Sequence, residues 1–196
     1  MGRSGQVTRV TRETNVNVAW SLDGGGQAEI STRVPFFDHM LDQIARHGLC
    51  ELKVITVGDI EIDAHHTVED TGIAMGQALK QALGDAKGIR RYGNATIPLD
   101  EALAMAVVDI SGRPFLAFDA TFPKDKVGEF DTELVQEFFR ALAFNAGLTL
   151  HLKVLYGQNT HHMIEALFKA FARALLDATT LDPRVTGVPS TKGTLL

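Results

Sequence analysis

The chain carries the same unusual five-residue signature twice, as HHTVE beginning at His65 and as HHMIE beginning at His161. Each copy opens an amphipathic pattern that is typical of a helix. On a helix the first His and the Glu are four positions apart and share a face, whereas the second His points about 100° away. One such turn can bind one metal ion through its first His and its Glu, and offer its second His to another ion. Two copies therefore predict two metal ions.

The residues upstream of the two signatures also correspond, which indicates an internal duplication. A predicted helix and then a predicted strand precede each copy. Aligning the two halves places His39 opposite Glu137, so both residues are candidate metal ligands. The other histidines, His47 and His151, have no counterpart of this kind and receive no role.

The apolar patterns predict an α+β fold, an internally duplicated unit in which each half is a small sheet with two helices packed on one face. Strands are predicted at residues 7–20, 27–34, 49–57, 102–110, 114–121 and 148–155, and helices at 36–46, 65–83, 132–146 and 161–178. The glycine-rich residues 23–26 predict a hairpin between the first two strands, and Gly48 predicts a left-handed cap on the first helix.

Composition predicts one domain, residues 1–196, with pseudo-repeats at about 7–84 and 102–178. A hydrophobic content of 45% supports a substantial core, and there is no linker-like segment. The amino terminus lacks the apolar core of a signal peptide, and no stretch approaches the ~18 apolar residues of a membrane span, so a cytoplasmic location without membrane contact is expected. A net charge of −5 argues against nucleic-acid binding. The single cysteine, Cys50, is expected to be a buried, reduced thiol.

The ligand types indicate which metal is bound. Imidazole and carboxylate groups without thiolates, at about four protein ligands per ion, suit Mn²⁺ or a similar octahedral ion better than structural zinc. The sequence also lacks the HExxH motif of zinc proteases. Open coordination positions suggest that the substrate binds metal directly.

Beyond the signatures, an ordered set of motifs covers nearly the whole chain: FFDHMLDQIARHG, DAHHTVEDTGIAMGQAL, RRYG, DISGRP, THHMIEALFKAFARAL and PSTKGTL. This set resembles the imidazoleglycerol-phosphate dehydratases of histidine biosynthesis. The resemblance implies a hydro-lyase that converts D-erythro-imidazole glycerol phosphate to imidazole acetol phosphate, with two Mn²⁺ ions per active site. It also implies a homo-oligomer of 24 subunits with active sites between subunits.

The resemblance also implies the ligand sets. One ion would take His39, His66, His161 and Glu165, and the other would take His65, Glu69, His162 and Glu137. Many relatives carry a His where this chain has Glu137. A carboxylate is nevertheless a suitable Mn²⁺ ligand, and the internal alignment with His39 independently favours Glu137.

The reaction explains the need for two metal ions. No carbonyl group activates the proton to be removed, so the imidazole ring must act as the electron sink, as a dimetal-bound imidazolate that expels the hydroxyl through a diazafulvene-like intermediate. Glu13 matches the family's glutamate near the substrate and is the candidate general acid or base. The predicted catalytic set is Glu13, His65, His66, His161 and His162. The positions that match the family's substrate and phosphate contacts are Glu13, Arg91, Arg113, Ser190, Thr191 and Lys192, the last three in a C-terminal substrate-binding tail.

Two other functions remain open at this point. A metal-binding or storage protein could use the same ligands without turnover, although it has no use for phosphate contacts near the metals. A metal-dependent hydrolase is also compatible with the ligands, but the sequence offers no separate nucleophile motif. Taken singly, Arg91 is compatible with a solvated surface residue, Glu13 with a solvated strand carboxylate, and Lys192 with a disordered tail.

Overall fold

The computed structural model describes residues 2–195; Met1 and Leu196, the two ends of the predicted domain, lie outside the described residues. The first half contains β1 (Ser4–Val10), β2 (Thr14–Ser21), β3 (Ala28–Ser31), α1 (Pro35–Gly48), β4 (Glu51–Gly58) and α2 (His65–Leu83). The second half contains β5 (Tyr92–Leu99), β6 (Ala102–Asp109), β7 (Phe115–Asp119), the short strands β8 (Lys126–Val127) and β9 (Phe130–Asp131), α3 (Leu134–Ala146), β10 (Thr149–Tyr156) and α4 (Thr160–Thr179).

The two halves have the same topology. The first sheet has the order β1-β2-β4-β3, and the second has the order β5-β6-β10-β7. Strands β1 and β2 pair antiparallel, as do β5 and β6. Strands β4 and β3 pair parallel, as do β10 and β7. The β8–β9 ribbon has no counterpart in the described part of the first half. The predicted duplicated α+β fold is confirmed.

The helices lie between the two sheets. Helix α2 packs on β1 and β2, and α4 packs on β5 and β6, while α2 contacts α3 and α1 contacts α4. The helices of the two halves therefore share one core, in which the ring of Phe37 in α1 lies 5.2 Å from that of Phe138 in α3. Alternate residues of β2 are buried, as expected for a sheet that is covered by helices on one face. No helix among residues 2–195 is long and apolar enough to span a membrane.

The predicted hairpin at residues 23–26 is wrong. Strand β4 lies between β2 and β3, and the antiparallel hairpin is formed instead by β1 and β2 around the turn at residues 11–13, within the single stretch 7–20. Gly24 permits a close approach of two chain segments, since a Cβ on Gly24 would lie 2.5 Å from the backbone nitrogen of Glu51. A glycine-rich segment indicates that the backbone can turn freely, but it does not indicate which strands pair.

Two further predictions need correction. Gly48 is the last residue of α1, and the left-handed position is taken by Leu49, with φ 49°. Strand β5 was not predicted, because Gly93 and Pro98 interrupt its apolar pattern. It lies at the edge of its sheet, where proline is tolerated.

Candidate active site

Equivalent loops place the two histidine pairs in the first turns of α2 and α4. The side chain of Asp63 accepts a hydrogen bond from the backbone N–H of His65 at 2.7 Å, and that of Asn159 accepts one from His161 at 3.0 Å. Such side chains satisfy N–H groups that a helix leaves unpaired at its start. Each signature therefore begins its helix at a defined residue, and this fixes where both histidines of the pair point.

The first candidate metal group combines His39 of α1 with His161 and Glu165 of α4; one ligand atom from each lies within 4.8 Å of the others. Oε2 of Glu165 lies 3.3 Å from Nε2 of His39 and 3.0 Å from Nε2 of His161. Burial disfavours ionisation of Glu165, but hydrogen bonds from Lys169, 2.7 Å away, and from the two histidines outweigh it and lower its pKa. Gln43 lies 3.4 Å from Nδ1 of His39 and helps to orient this ring.

The second candidate metal group combines His65 and Glu69 of α2 with Glu137 of α3, again within 4.8 Å. Like the first group, it draws on both halves of the chain. The guanidinium of Arg140 hydrogen-bonds Glu137 and lies 3.9 Å from Glu69. This cation compensates part of the charge of two neighbouring carboxylates, so Glu137 is compatible with the position that the internal alignment gave it.

The second histidine of each pair points away from the group beside it. Nδ1 of His66 lies 3.1 Å from Oδ2 of Asp59, and Nδ1 of His162 lies 2.8 Å from Oε2 of Glu101. Neither His66 nor His162 joins a three-residue metal group among residues 2–195. Because an ionised carboxylate only accepts hydrogen bonds, Nδ1 carries the proton in both rings, and Nε2 is the nitrogen with a lone pair that could bind a metal ion.

The same contacts change the acidity of these groups. The hydrogen bond to Asp59 raises the pKa of His66, and the hydrogen bond to Glu101 raises that of His162. The bond to His162, together with the backbone N–H groups of Asn159 and Gln158, lowers the pKa of Glu101 to about 2. Both carboxylates are thus firm partners for the imidazole that each contacts.

Glu13 lies in the turn between β1 and β2, close to the second histidine of the first signature. Its Oε2 is 3.9 Å from Nδ1 of His66, and about half of the carboxylate-bearing side chain is exposed. The position leaves Glu13 accessible to a molecule that approaches His66 from solvent.

The predicted phosphate contacts line one cavity of about 730 Å³ at the surface. The five residues are Arg91, Arg113, Ser190, Thr191 and Lys192. Arg91 is held by Asp109 at 2.7 Å and donates to the backbone carbonyl of Pro189 at 2.9 Å, so it also attaches the C-terminal segment to β6. Asp109 raises the pKa of Arg91, which keeps the cation charged. Two guanidinium groups, an ammonium group and two hydroxyls suit a phosphate.

The cavity and the first metal group lie at opposite ends of α4. The backbone N–H of Arg91 bonds the carbonyl of Ala178 near the end of this helix, whereas His161 is at its start. At 1.5 Å per residue, the helix between these two residues is about 25 Å long. The structure thus brings the phosphate contacts together with one another, but not with the first metal group of the same chain.

Several residues around these groups were not predicted. Lys169 was detectable, since it lies four positions after Glu165 on the same helix. Arg140 has the same kind of spacing to Glu137. Glu101 lies between β5 and β6, in the turn that corresponds to the β1–β2 turn of Glu13, so the duplication relates Glu101 to Glu13. Asp59 follows β4 and has no such counterpart among the predicted site residues.

Comparison with known proteins points to one family. A sequence model of imidazoleglycerol-phosphate dehydratase matches residues 32–175. The imidazoleglycerol-phosphate dehydratase of Symbiobacterium thermophilum is 71% identical over 193 residues, which cover 98% of this chain and 93% of that protein. The protein of the same name from Geobacter metallireducens is 60% identical over 195 residues and 100% of both chains.

Solved structures give the same result. The crystal structure of imidazoleglycerol-phosphate dehydratase from Staphylococcus aureus has a TM-score of 0.83 and 47% identity, and the match covers 91% of this chain and 99% of that chain. The corresponding structure from Pyrococcus furiosus has a TM-score of 0.83 and 36% identity, and the match covers 96% and 100% of the two chains.

Proposed function

Because the chain belongs to the imidazoleglycerol-phosphate dehydratase family of hydro-lyases in histidine biosynthesis, we propose that it dehydrates D-erythro-imidazole glycerol phosphate to imidazole acetol phosphate at two bound Mn²⁺ ions. The observation that carries the metal-dependent part is the pair of three-residue groups, each built from a His and a Glu on one helix and a third ligand from the other half.

The donors in these groups fit the proposed ion. Imidazole nitrogens and carboxylate oxygens suit Mn²⁺, and neither group contains a thiolate. Each group has three ligands and lacks a fourth, while His66 and His162 each have Nδ1 bound to a carboxylate and Nε2 available. We assign His66 to the group of His39, and His162 to the group of His65. The complete sets are then His39, His66, His161 and Glu165 for one ion, and His65, Glu69, His162 and Glu137 for the other.

The length of α4 supports an active site between subunits. One substrate carries both the ring that must reach the metals and the phosphate that must reach Arg91, Arg113 and Lys192, and it is far shorter than the roughly 25 Å of helix between those sites. We therefore propose that one subunit supplies the metal groups and a neighbour supplies the phosphate cavity. His66 and His162 would likewise complete the metal groups of neighbouring subunits, in a homo-oligomer such as the 24-subunit assembly that the family resemblance implies.

These residues would have different roles in the reaction. Turning a glycerol side chain into an acetol side chain removes a hydroxyl from one carbon and a hydrogen from the next, and the resulting enol becomes a ketone. When bound, the two ions would hold the imidazole ring and act as Lewis acids. Glu13 takes the proton from carbon, since it is an exposed carboxylate beside His66. The hydroxyls of Ser190 and Thr191 hold the phosphate together with the cations of Arg91, Arg113 and Lys192, and so exclude other orientations of the substrate.

The test compares metal-depleted and Mn²⁺-reconstituted protein. We expect the reconstituted protein to bind two ions per chain and to form imidazole acetol phosphate, detected by mass, while the depleted protein forms none. Full metal binding without turnover would identify a storage protein instead. Release of inorganic phosphate from the substrate would identify a hydrolase.

A further inference from the structure

A buried polar cluster at the contact of β1, β2 and α2 has no part in the mechanism described above. Asp70 of α2 is only 6% exposed. Its Oδ2 accepts a hydrogen bond from the hydroxyl of Thr14 and lies 2.5 Å from Nη1 of Arg9. A buried carboxylate is stable only when it is paired and hydrogen-bonded, so this cluster ties the β1–β2 hairpin firmly to the helix.

The cluster lies directly beside the turn that carries Glu13. The hydroxyl of Thr11 accepts hydrogen bonds from the backbone N–H groups of Glu13 at 3.1 Å and Thr14 at 2.9 Å, and the Thr11 N–H donates to the Thr14 carbonyl at 2.9 Å. These bonds make residues 11–14 one rigid unit. Thr14 is buried, and its hydroxyl joins this unit to Asp70.

Asp70 belongs to the same stretch of α2 as the first signature. It follows His66 by four positions, so the two residues lie one helical turn apart, and it directly follows Glu69. The orientation of Glu13 relative to His66 is therefore set by a short chain of contacts that runs from Glu13 through Thr14 to Asp70. Oε2 of Glu13 lies 3.9 Å from Nδ1 of His66.

We propose that Asp70 and Thr14 are positioning residues, which hold the Glu13 carboxylate at a fixed place relative to the first turn of α2, where the proposed metal ligands lie. This inference rests on the proposed role of Glu13 as the proton-transferring group. Neither residue needs to touch substrate or metal. Their contribution is to the geometry of proton transfer, for which a displacement of about 1 Å can cost about a hundredfold in rate.

The chain offers a matched control for this contact. Thr56 of β4 is also buried, at 1% exposure, and its hydroxyl lies 2.9 Å from that of Thr71, on α2 as well. Both Thr14 and Thr56 thus connect a strand of the first sheet to the same helix by one hydroxyl. Only Thr14 is next to Glu13. Replacing either by valine keeps the side-chain shape and removes the contacts of that hydroxyl, which are those to Asp70 and Thr11 for Thr14 and that to Thr71 for Thr56.

The experiment measures kcat, KM, bound metal and melting temperature in the assembled, Mn²⁺-loaded enzyme. We expect Thr14→Val to lower kcat about ten- to a hundredfold with little change in KM or metal content. Thr14→Ser, which keeps the hydroxyl, should have a kcat close to that of the unaltered enzyme. Thr56→Val should also lower the melting temperature but leave kcat nearly unchanged. Equal kcat values for Thr14→Val and Thr56→Val would overturn the inference.

A double-mutant cycle separates this inference from the proposed function. If Thr14 acts through Glu13, Thr14→Val should have little further effect on kcat in a Glu13→Gln background. A loss that is fully additive would show that Thr14 acts elsewhere, with the role of Glu13 intact. Near-native kcat in Glu13→Gln alone would instead remove Glu13 from the mechanism, and the positioning role with it.

Discussion

Glu101 holds the imidazole of His162 through a 2.8 Å contact between Oε2 and Nδ1, so the other ring nitrogen is the one that remains for the proposed metal ion. Carboxylates in this position usually fix the tautomer and orientation of a ligating histidine. The same relationship exists between Asp59 and His66. The two proposed metal sites thus depend on carboxylates that bind no metal themselves.

We expect Glu101→Ala to weaken binding of one of the two Mn²⁺ ions about 10- to 100-fold and to leave the other ion bound. His162 would lose the partner that orients its ring, whereas His66 would keep Asp59. Titration with Mn²⁺ followed by elemental analysis measures this. Glu29→Ala, which removes an exposed carboxylate paired with Lys53, is the control. Unchanged affinity in Glu101→Ala would argue that His162 is not a ligand.

Glu137 has an equally direct test. Glu137→Gln keeps the shape of the side chain but removes its charge, so one ion should be lost while the other is retained. Glu137→His supplies the imidazole that many relatives are expected to carry at this position, and it should keep both ions. Metal content per chain distinguishes these outcomes. Two ions in Glu137→Gln would return Glu137 to the role of an ordinary partner of Arg140.

Removing the metal should loosen the oligomer. If His66 and His162 complete the metal groups of neighbouring subunits, each ion joins subunits, and its binding energy contributes to assembly. Chelation should therefore give smaller particles on size analysis, and added Mn²⁺ should restore the original size. An unchanged size in protein from which elemental analysis finds no metal would contradict bridging sites.

Lys192 and Glu13 should have different kinetic effects. Lys192 would hold the phosphate in both ground and transition states, so Lys192→Ala should mainly raise KM. Glu13 would act in the transition state, so Glu13→Gln should lower kcat by about 10²- to 10⁴-fold. Lys80→Ala, at an exposed position on α2, should change neither constant. A large loss of kcat with unchanged KM in Lys192→Ala would place Lys192 in the chemical step instead.

Cys50 should make stability decrease at high pH. Burial raises the pKa of its thiol to about 11 from the ordinary value of 9.0. Between these values the unfolded chain loses the proton while the folded chain keeps it, so the free energy of unfolding should fall as the pH rises from about 9 to about 11. Denaturant unfolding of the native protein and of Cys50→Ala, compared across this range, isolates the contribution. Parallel curves for the two proteins would show that the thiol is accessible.

The sequence predicted those features that depend on local spacing. His65 with Glu69, and His161 with Glu165, lie together because four positions on a helix fix their relation in space. The duplication then placed His39 and Glu137, since the two halves fold with the same topology. Helical spacing and an internal duplication can both be detected in a single sequence, before any long-range contact is known.

Features that depend on pairing between distant segments were not predictable in this way. The position of β4 between β2 and β3 follows from the packing of the whole sheet, whereas residues 23–26 indicate only a reversal of the chain. Asp59, Glu101 and Asp70 are acidic residues among many others in the sequence. Their partners His66, His162 and Thr14 became apparent only once the loops and helices were in place.

The length of α4 has a genetic consequence. If the metal group at its start and the phosphate cavity at its end serve different active sites, then a Glu165→Gln chain lacks an intact metal group but keeps its cavity. A Lys192→Ala chain lacks an intact cavity but keeps its metal group. Hybrid oligomers made by co-expressing the two would contain some sites that combine an intact metal group with an intact cavity. Two alleles that each impair every active site when expressed alone should therefore complement one another, whereas alleles altered at Glu165 and His161 should not, since those residues belong to one group.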